Sequence, residues 1–131
     1  MELETGLEGH AVMVVGENDT AAAQGSGGVP VLATPRVVAL MEAAAIDCLK
    51  GRLPDGKTTV GTRVDIRHIA ATPVGMKVEA VAKLTGLNGR SLTFEVTARD
   101  ERETVATGHH DRYVVTTERF VEKSRAKLSP E

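Results

Sequence analysis

Aromatic side chains are nearly missing: 131 residues hold no tryptophan, one tyrosine and two phenylalanines. No platform exists on which successive bases could stack, and a core has to be built from Val, Ala, Leu, Ile and Met. Charge of one sign is lacking as well. A net charge of −2 leaves no electrostatic footprint for nucleic acid, so no nucleic-acid partner is expected. The single cysteine, Cys48, excludes an intrachain disulfide and a Cys-rich zinc site. No apolar run approaches the ~20 residues that span a bilayer, and no membrane partner is expected. The opening "MELETGLEGH" is acidic and has neither the basic n-region nor the apolar core of a signal peptide. A cytoplasmic protein is the expectation.

What remains is the composition of a globular protein, 41% hydrophobic and 26% charged, at a length that suits one domain with one core. A single domain over 1–131 is expected, with 1–8 and 121–131 flexible or peripheral. "HAVMVVGE" (10–17) reads as a first strand. "NDTAAAQGSGGVP" (18–30) is too rich in glycine and small residues to form a core element. It is read as a mobile loop, either slack connection or a lid over whatever the next helix presents. "TPRVVALMEAAAIDCLKG" (34–51) is the best helix in the chain. Thr34 is suited to cap the free N–H groups, Pro35 to the first turn and Gly51 to a left-handed stop. Its interior is apolar on nearly every side, the pattern of a helix buried on more than one face.

Four strand candidates follow a Pro-Asp-Gly turn. In "TTVGTRVDIRHIAA", Val60, Thr62, Val64, Ile66 and His68 share one phase; in "GMKVEAVAKLTGL", Met76, Val78, Ala80, Ala82 and Leu84 do. Asn88-Gly89 signals a hairpin into "RSLTFEVTARDE", with Leu92, Phe94, Val96 and Ala98 inward. "ETVATGHHDRYVVTTERF" reads as a long last strand interrupted by Gly108, and the charged tail 121–131 as frayed chain or a short surface helix. The expected fold is α+β: an antiparallel sheet of about five strands wrapped around one long central helix.

Few residues suggest chemistry. Glu42 has Val38, Ala39, Ala45 and Ile46 as its helical neighbours. A carboxylate there is costly unless paired, or it reaches the helix edge and water. The Thr34 hydroxyl is explained by capping, but helix starts also gather free N–H groups that attract anions and carbonyl oxygens. His68, in phase with apolar positions, is either a core or edge residue or a working side chain. His109 and His110 invite a metal, yet adjacent strand residues face opposite ways and do not readily chelate one ion. Gly61 and Gly108 mark bulges or close approaches. Asp111 and Arg112 read as surface charges.

Taken together, "LMEAA" (40–44), "VGT…H.AATPVG" (60–75) and "GHHDRYVV" (108–115) resemble the fluoroacetyl-CoA thioesterase-like branch of the hot-dog-fold thioesterases, over roughly residues 30–120. The resemblance implies a hot-dog fold, hydrolysis of a small acyl-CoA, and a homodimer with its active site at the subunit interface. It assigns Thr34, Glu42 and His68 as the catalytic set, the Gly61 N–H to the thioester carbonyl, and Arg112 to the substrate site. No metal or redox cofactor is implied, coenzyme A entering as part of the substrate. The family's aromatic lid segment ahead of the helix threonine is "QGSGGVPVLAT" here, so the implication is thioester hydrolysis without a clear fluoroacetyl preference. The alternatives are a non-catalytic acyl-CoA-binding hot-dog protein and a hot-dog hydratase or dehydratase.

Overall fold

The computed structural model describes residues 3–129; the expectations for residues 1–2 and 130–131 lie outside it. Five strands, β1 (Glu8–Val14), β2 (Lys57–His68), β3 (Lys77–Asn88), β4 (Ser91–Arg99) and β5 (Thr104–Thr116), form one antiparallel sheet in the order β1-β3-β4-β5-β2. Helix α1 (Thr34–Leu49) lies across it, and a short helix, α2 (Thr117–Arg125), follows β5. Among the described residues no helix is long and apolar enough to cross a membrane.

The alternation of β3 and β4 governs the core. Val78, Ala80, Ala82 and Leu84 on β3, and Leu92, Phe94, Val96 and Ala98 on β4, are all fully buried. They pack under Val37, Leu40, Met41, Ala44, Ala45, Cys48 and Leu49 of α1. With so few large rings available, the layers close by near backbone contact. A Cβ on Gly9 of β1 would collide with the Ala44 carbonyl oxygen and the Cys48 amide, so glycine is required for the helix to sit this close to the sheet. Gly51, with φ of +73°, ends the helix as its sequence position suggests. The β3–β4 hairpin turns one residue later than Asn88-Gly89: Asn88 pairs with Ser91, and Gly89, with φ of +63°, and Arg90 make the turn. Leu3 and Leu7 pack against the core.

Several expectations need correction. The last strand stops at Thr116, and "TERF" begins α2 instead. Only one face of α1 is buried. Ala39, Ala43 and Ile46 on the other are exposed, Ile46 by 53%, because the sheet of one chain covers one side only. In β2 a register shift between Gly61 and Arg63 interrupts the even-numbered phase, leaving Thr62 and Val64 exposed, and it returns at Ile66 and His68. As the edge strand, β2 has only Thr59 buried. The loop 18–30 is not slack. A 3₁₀ turn at Glu17–Asp19, bridges Thr20–Leu32 and Val31–Pro73, and hydrogen bonds from Ala21 to Val31 and from Ser26 to Ala21 fold it back on itself.

The segment after β2 is anchored by a buried polar knot. The Thr72 hydroxyl donates to Asp100 Oδ2 (3.0 Å), and the amides of Arg102 and Glu103 donate to Asp100 Oδ1 (2.8 and 2.9 Å). Burial pushes the Asp100 carboxyl up, but these hydrogen bonds and nearby Arg99 outweigh it and hold its pKa below the ordinary 3.8. The native state therefore binds the Asp100 proton less readily than the unfolded chain. The resulting stability is fully present above the unfolded pKa and is lost as pH falls through the folded one. Thermal melts are expected to drop on acidification below pH 3.8. In Asp100→Asn the neutral-pH midpoint should be lower and that acid-induced drop smaller. An unchanged acid limb in Asp100→Asn would assign it to other carboxylates.

Candidate active site

The start of α1 meets the end of β2. Ala33, not Thr34, is the N-cap of the helix, and no side chain caps it. Thr34, one position in, turns its hydroxyl instead to His68 Nδ1 at 2.7 Å. Tertiary pairing has replaced the local capping expected of this threonine. Burial depresses the His68 pKa from its ordinary 6.5, so the ring tends to stay neutral. Its Nε2 is buried and makes no hydrogen bond among the described residues. Both side chains line a cleft of about 340 Å³ whose walls include Val29, Val31, Ile69 and Ala70. The folded loop 18–30 supplies one side of it through Ala21, Ser26 and Val29.

A second group forms two helical turns further along. Glu42 Oε1 lies 3.6 Å from Arg112 Nη1 as an ion pair, with the Glu42 side chain 39% exposed and that of Arg112 only 5%. Arg112 is thus no surface charge. Burial lowers its pKa from the ordinary arginine value and the Glu42 charge opposes that shift; the guanidinium remains protonated. Thr59 holds it from β2, accepting from Nε at the hydroxyl (2.8 Å) and from Nη2 at the carbonyl (3.0 Å). Gly61 sits over this group. A Cβ there would lie 3.2 Å from His110 Cε1, 3.4 Å from Arg112 Nη1 and 3.5 Å from Glu42 Oε1. Gly61 is therefore both the edge of a bulge and a close approach. Gly108 is a close approach outright, since a Cβ would strike the Asp65 carbonyl oxygen.

The predicted residues thus fall into two clusters, Thr34 with His68, and Glu42 with Gly61 and Arg112. Eight residues of α-helix separate Thr34 from Glu42, about 12 Å along the axis. His109 and His110 face opposite ways, the first exposed and the second 1% exposed. Thr59 carried no signal in the sequence. His110 was legible only as half of a histidine pair, although its i, i+2 relation to Arg112 puts both on one face of β5.

Residues 15–118 match the family of fluoroacetyl-CoA-specific thioesterases (FlK). The chain belongs to this family. It is 37% identical over 97 residues to a fluoroacetyl-CoA thioesterase of Streptantibioticus cattleyicolor, covering 74% of this chain and 70% of that protein. A solved structure of the fluoroacetyl-CoA thioesterase FlK superimposes with a TM-score of 0.91 at 30% identity, over 97% of this chain and 98% of that one. A thioesterase-superfamily member from Thermus thermophilus gives 0.89 at 25% identity, over 99% and 98%. The sheet curled on a central helix is the hot-dog fold of these thioesterases, and the FlK match extends upstream of α1 to include the folded loop 18–30.

Proposed function

We propose that this thioesterase-family protein hydrolyses the thioester of a small acyl-CoA in the cytoplasm as a homodimer, with an active site shared between two copies. The observation that carries this reading is the short Thr34–His68 contact lining a cleft, in a chain of a thioesterase family. Hydrolysis needs an activated water or nucleophile, a polarised carbonyl and a proton for the departing thiolate. Glu42 acts as base or as nucleophile. The Gly61 N–H donates to the developing oxyanion, an interaction typically worth about 2.7–4 kcal/mol of barrier. His68, neutral at rest, takes up at its unpaired Nε2 the proton that the attacking water releases and passes it to the departing sulfur, while Thr34 holds the ring by Nδ1. Arg112, 4% exposed, acts through the Glu42 carboxylate. No resident cofactor enters these steps.

A second copy is supported by three features of the single chain. The Thr34–His68 pair lies too far along the helix for Glu42 of the same chain to reach. The outer face of α1 is exposed and apolar, and β2 is a free sheet edge, which proteins ordinarily cover or blunt. A two-fold partner laid along them would bring its own Glu42 towards the first chain's Thr34 and His68.

Release of free thiol from a panel of short acyl-CoAs is expected for the parent protein. A panel left uncleaved, with CoA esters still raising the melting temperature, would replace hydrolysis by binding alone. Thr34→Ala separates the two roles of that threonine. With no cap to lose, it should cost the fold less than the ~1 kcal/mol typical of a missing N-cap, while turnover falls as His68 loses its partner. A large drop in melting temperature with normal turnover would reverse that assignment.

A further inference from the structure

Among the buried groups the mechanism above leaves unused, His110 is the most constrained. It is 1% exposed, with its ring against Phe94 at a centroid distance of 6.2 Å and an interplanar angle of 29°. Nδ1 lies 2.8 Å from the carbonyl oxygen of Arg63, at the β2 bulge, and Nε2 lies 3.1 Å from Arg112 Nη1. A carbonyl only accepts and a guanidinium only donates. The ring is therefore the tautomer with its proton on Nδ1: Nδ1–H donates to Arg63, and Nε2 accepts from Arg112. Every edge of the Arg112 fork is then set, Nε and Nη2 by Thr59 and Nη1 by His110. What Nη1 still faces is Glu42 Oε1 at 3.6 Å. The Gly61 backbone closes on the same point, with His110 Cε1, Arg112 Nη1 and Glu42 Oε1 all within 3.5 Å of where its Cβ would be.

We propose that His110 is a positioning residue: as a hydrogen-bond acceptor it aims the Arg112 guanidinium at Glu42, and through its Nδ1–H it ties that aim to the bulge carrying Gly61. It touches no substrate. The inference rests on the thioesterase reading for its effect on rate, but not for its geometry. A histidine that only filled space in this core would be replaceable by any apolar side chain of similar size. A positioning one is not, because Arg112 Nη1 would lose its acceptor in a buried site.

Two measurements on the full-length chain test this. In protein labelled with ¹⁵N at histidine and arginine, long-range ¹H–¹⁵N spectra should show His110 protonated at Nδ1 and bare at Nε2. The Arg112 Nε–H signal should be sharp and protected, and should shift and exchange faster in His110→Leu but not in His110→Gln, whose amide oxygen reaches the same acceptor position. In thiol-release assays, His110→Leu should lose kcat on the order of 10–100-fold, the scale of a misplaced catalytic group, with KM changed far less. His110→Gln should recover most of that loss. Equal kcat in Leu and Gln variants, or a ring protonated at Nε2, would overturn the proposal. Should His110→Leu not fold, the tautomer and the Gln variant still decide it. A parent inactive on every thioester would remove the proposed function alone, and the tautomer and Arg112 signals would then decide the positioning claim.

Discussion

Replacing Glu42 by glutamine is expected to lower thioester turnover by roughly 10²–10⁴-fold, the range associated with losing a positioned acid–base group, while the protein stays folded. The fold should survive because Arg112 does not depend on Glu42 for its hydrogen bonds. Its Nε, Nη2 and Nη1 are taken by Thr59 and His110, and the glutamine amide oxygen still faces it. Breaking a fully buried ion pair is strongly destabilising. Here the charge left behind is Arg112, only 5% exposed, so some stability is lost, limited by the hydrogen bonds it keeps to Thr59 and His110. Circular dichroism should thus stay close to the parent and the melting midpoint should fall modestly while kcat collapses. Glu42→Asp is the useful companion. It keeps the charge but withdraws the carboxylate by one methylene from Gly61 and Arg112, and an intermediate loss is expected. Full activity in Glu42→Gln would remove this residue from the chemistry.

Mixing two inactive variants is expected to restore activity. Glu42→Gln and His68→Ala should each be nearly dead alone. If each site draws Glu42 from one copy and Thr34–His68 from the other, a mixed dimer holds one doubly damaged site and one intact site. Random reassortment then makes half the dimers mixed, and about a quarter of parental activity should return. If each site belonged to one chain, every site in the mixture would carry a lesion and nothing would return. The expectation follows from the helix itself: about 12 Å separates Thr34 from Glu42 along the axis, while Thr34 and His68 of one chain are already in contact at 2.7 Å. Co-refolding with two different affinity tags isolates the mixed species. Light scattering should give it twice the 13.9 kDa chain mass, and a monomer would sink the shared site together with the dimer.

The arrangement also bears on what the cleft admits. The family resemblance sets an expectation of aromatic side chains ahead of the helix threonine, and this chain has glycine and small aliphatics there. In the fold that segment is nonetheless ordered, bridged to Leu32 and Pro73 and lining the cleft beside His68. Its order comes from backbone hydrogen bonds and the Thr72–Asp100 knot beneath it rather than from ring packing.

The amino-acid sequence by itself determined the elements whose signal is periodic and local. Alternation in 78–84 and 92–98 named the buried face of β3 and β4 residue by residue, and the apolar run with Pro35 and Gly51 named the central helix. The set Thr34, Glu42, Gly61, His68 and Arg112 was visible as well, but only as residue types at family-like spacing. Which of them touch was decided by tertiary structure. Periodicity reports which way a side chain faces, not which distant segment it meets, so Thr34 reads as a cap until His68 offers its hydroxyl a better partner. Arg112 reads as surface charge until the strand register puts Thr59 and His110 around it. One bulge at Gly61 interrupts the phase of β2, and no local pattern announces it, because it arises from pairing with β5. The exposed face of α1 and the free edge of β2 follow from a sheet too narrow to cover the helix on both sides.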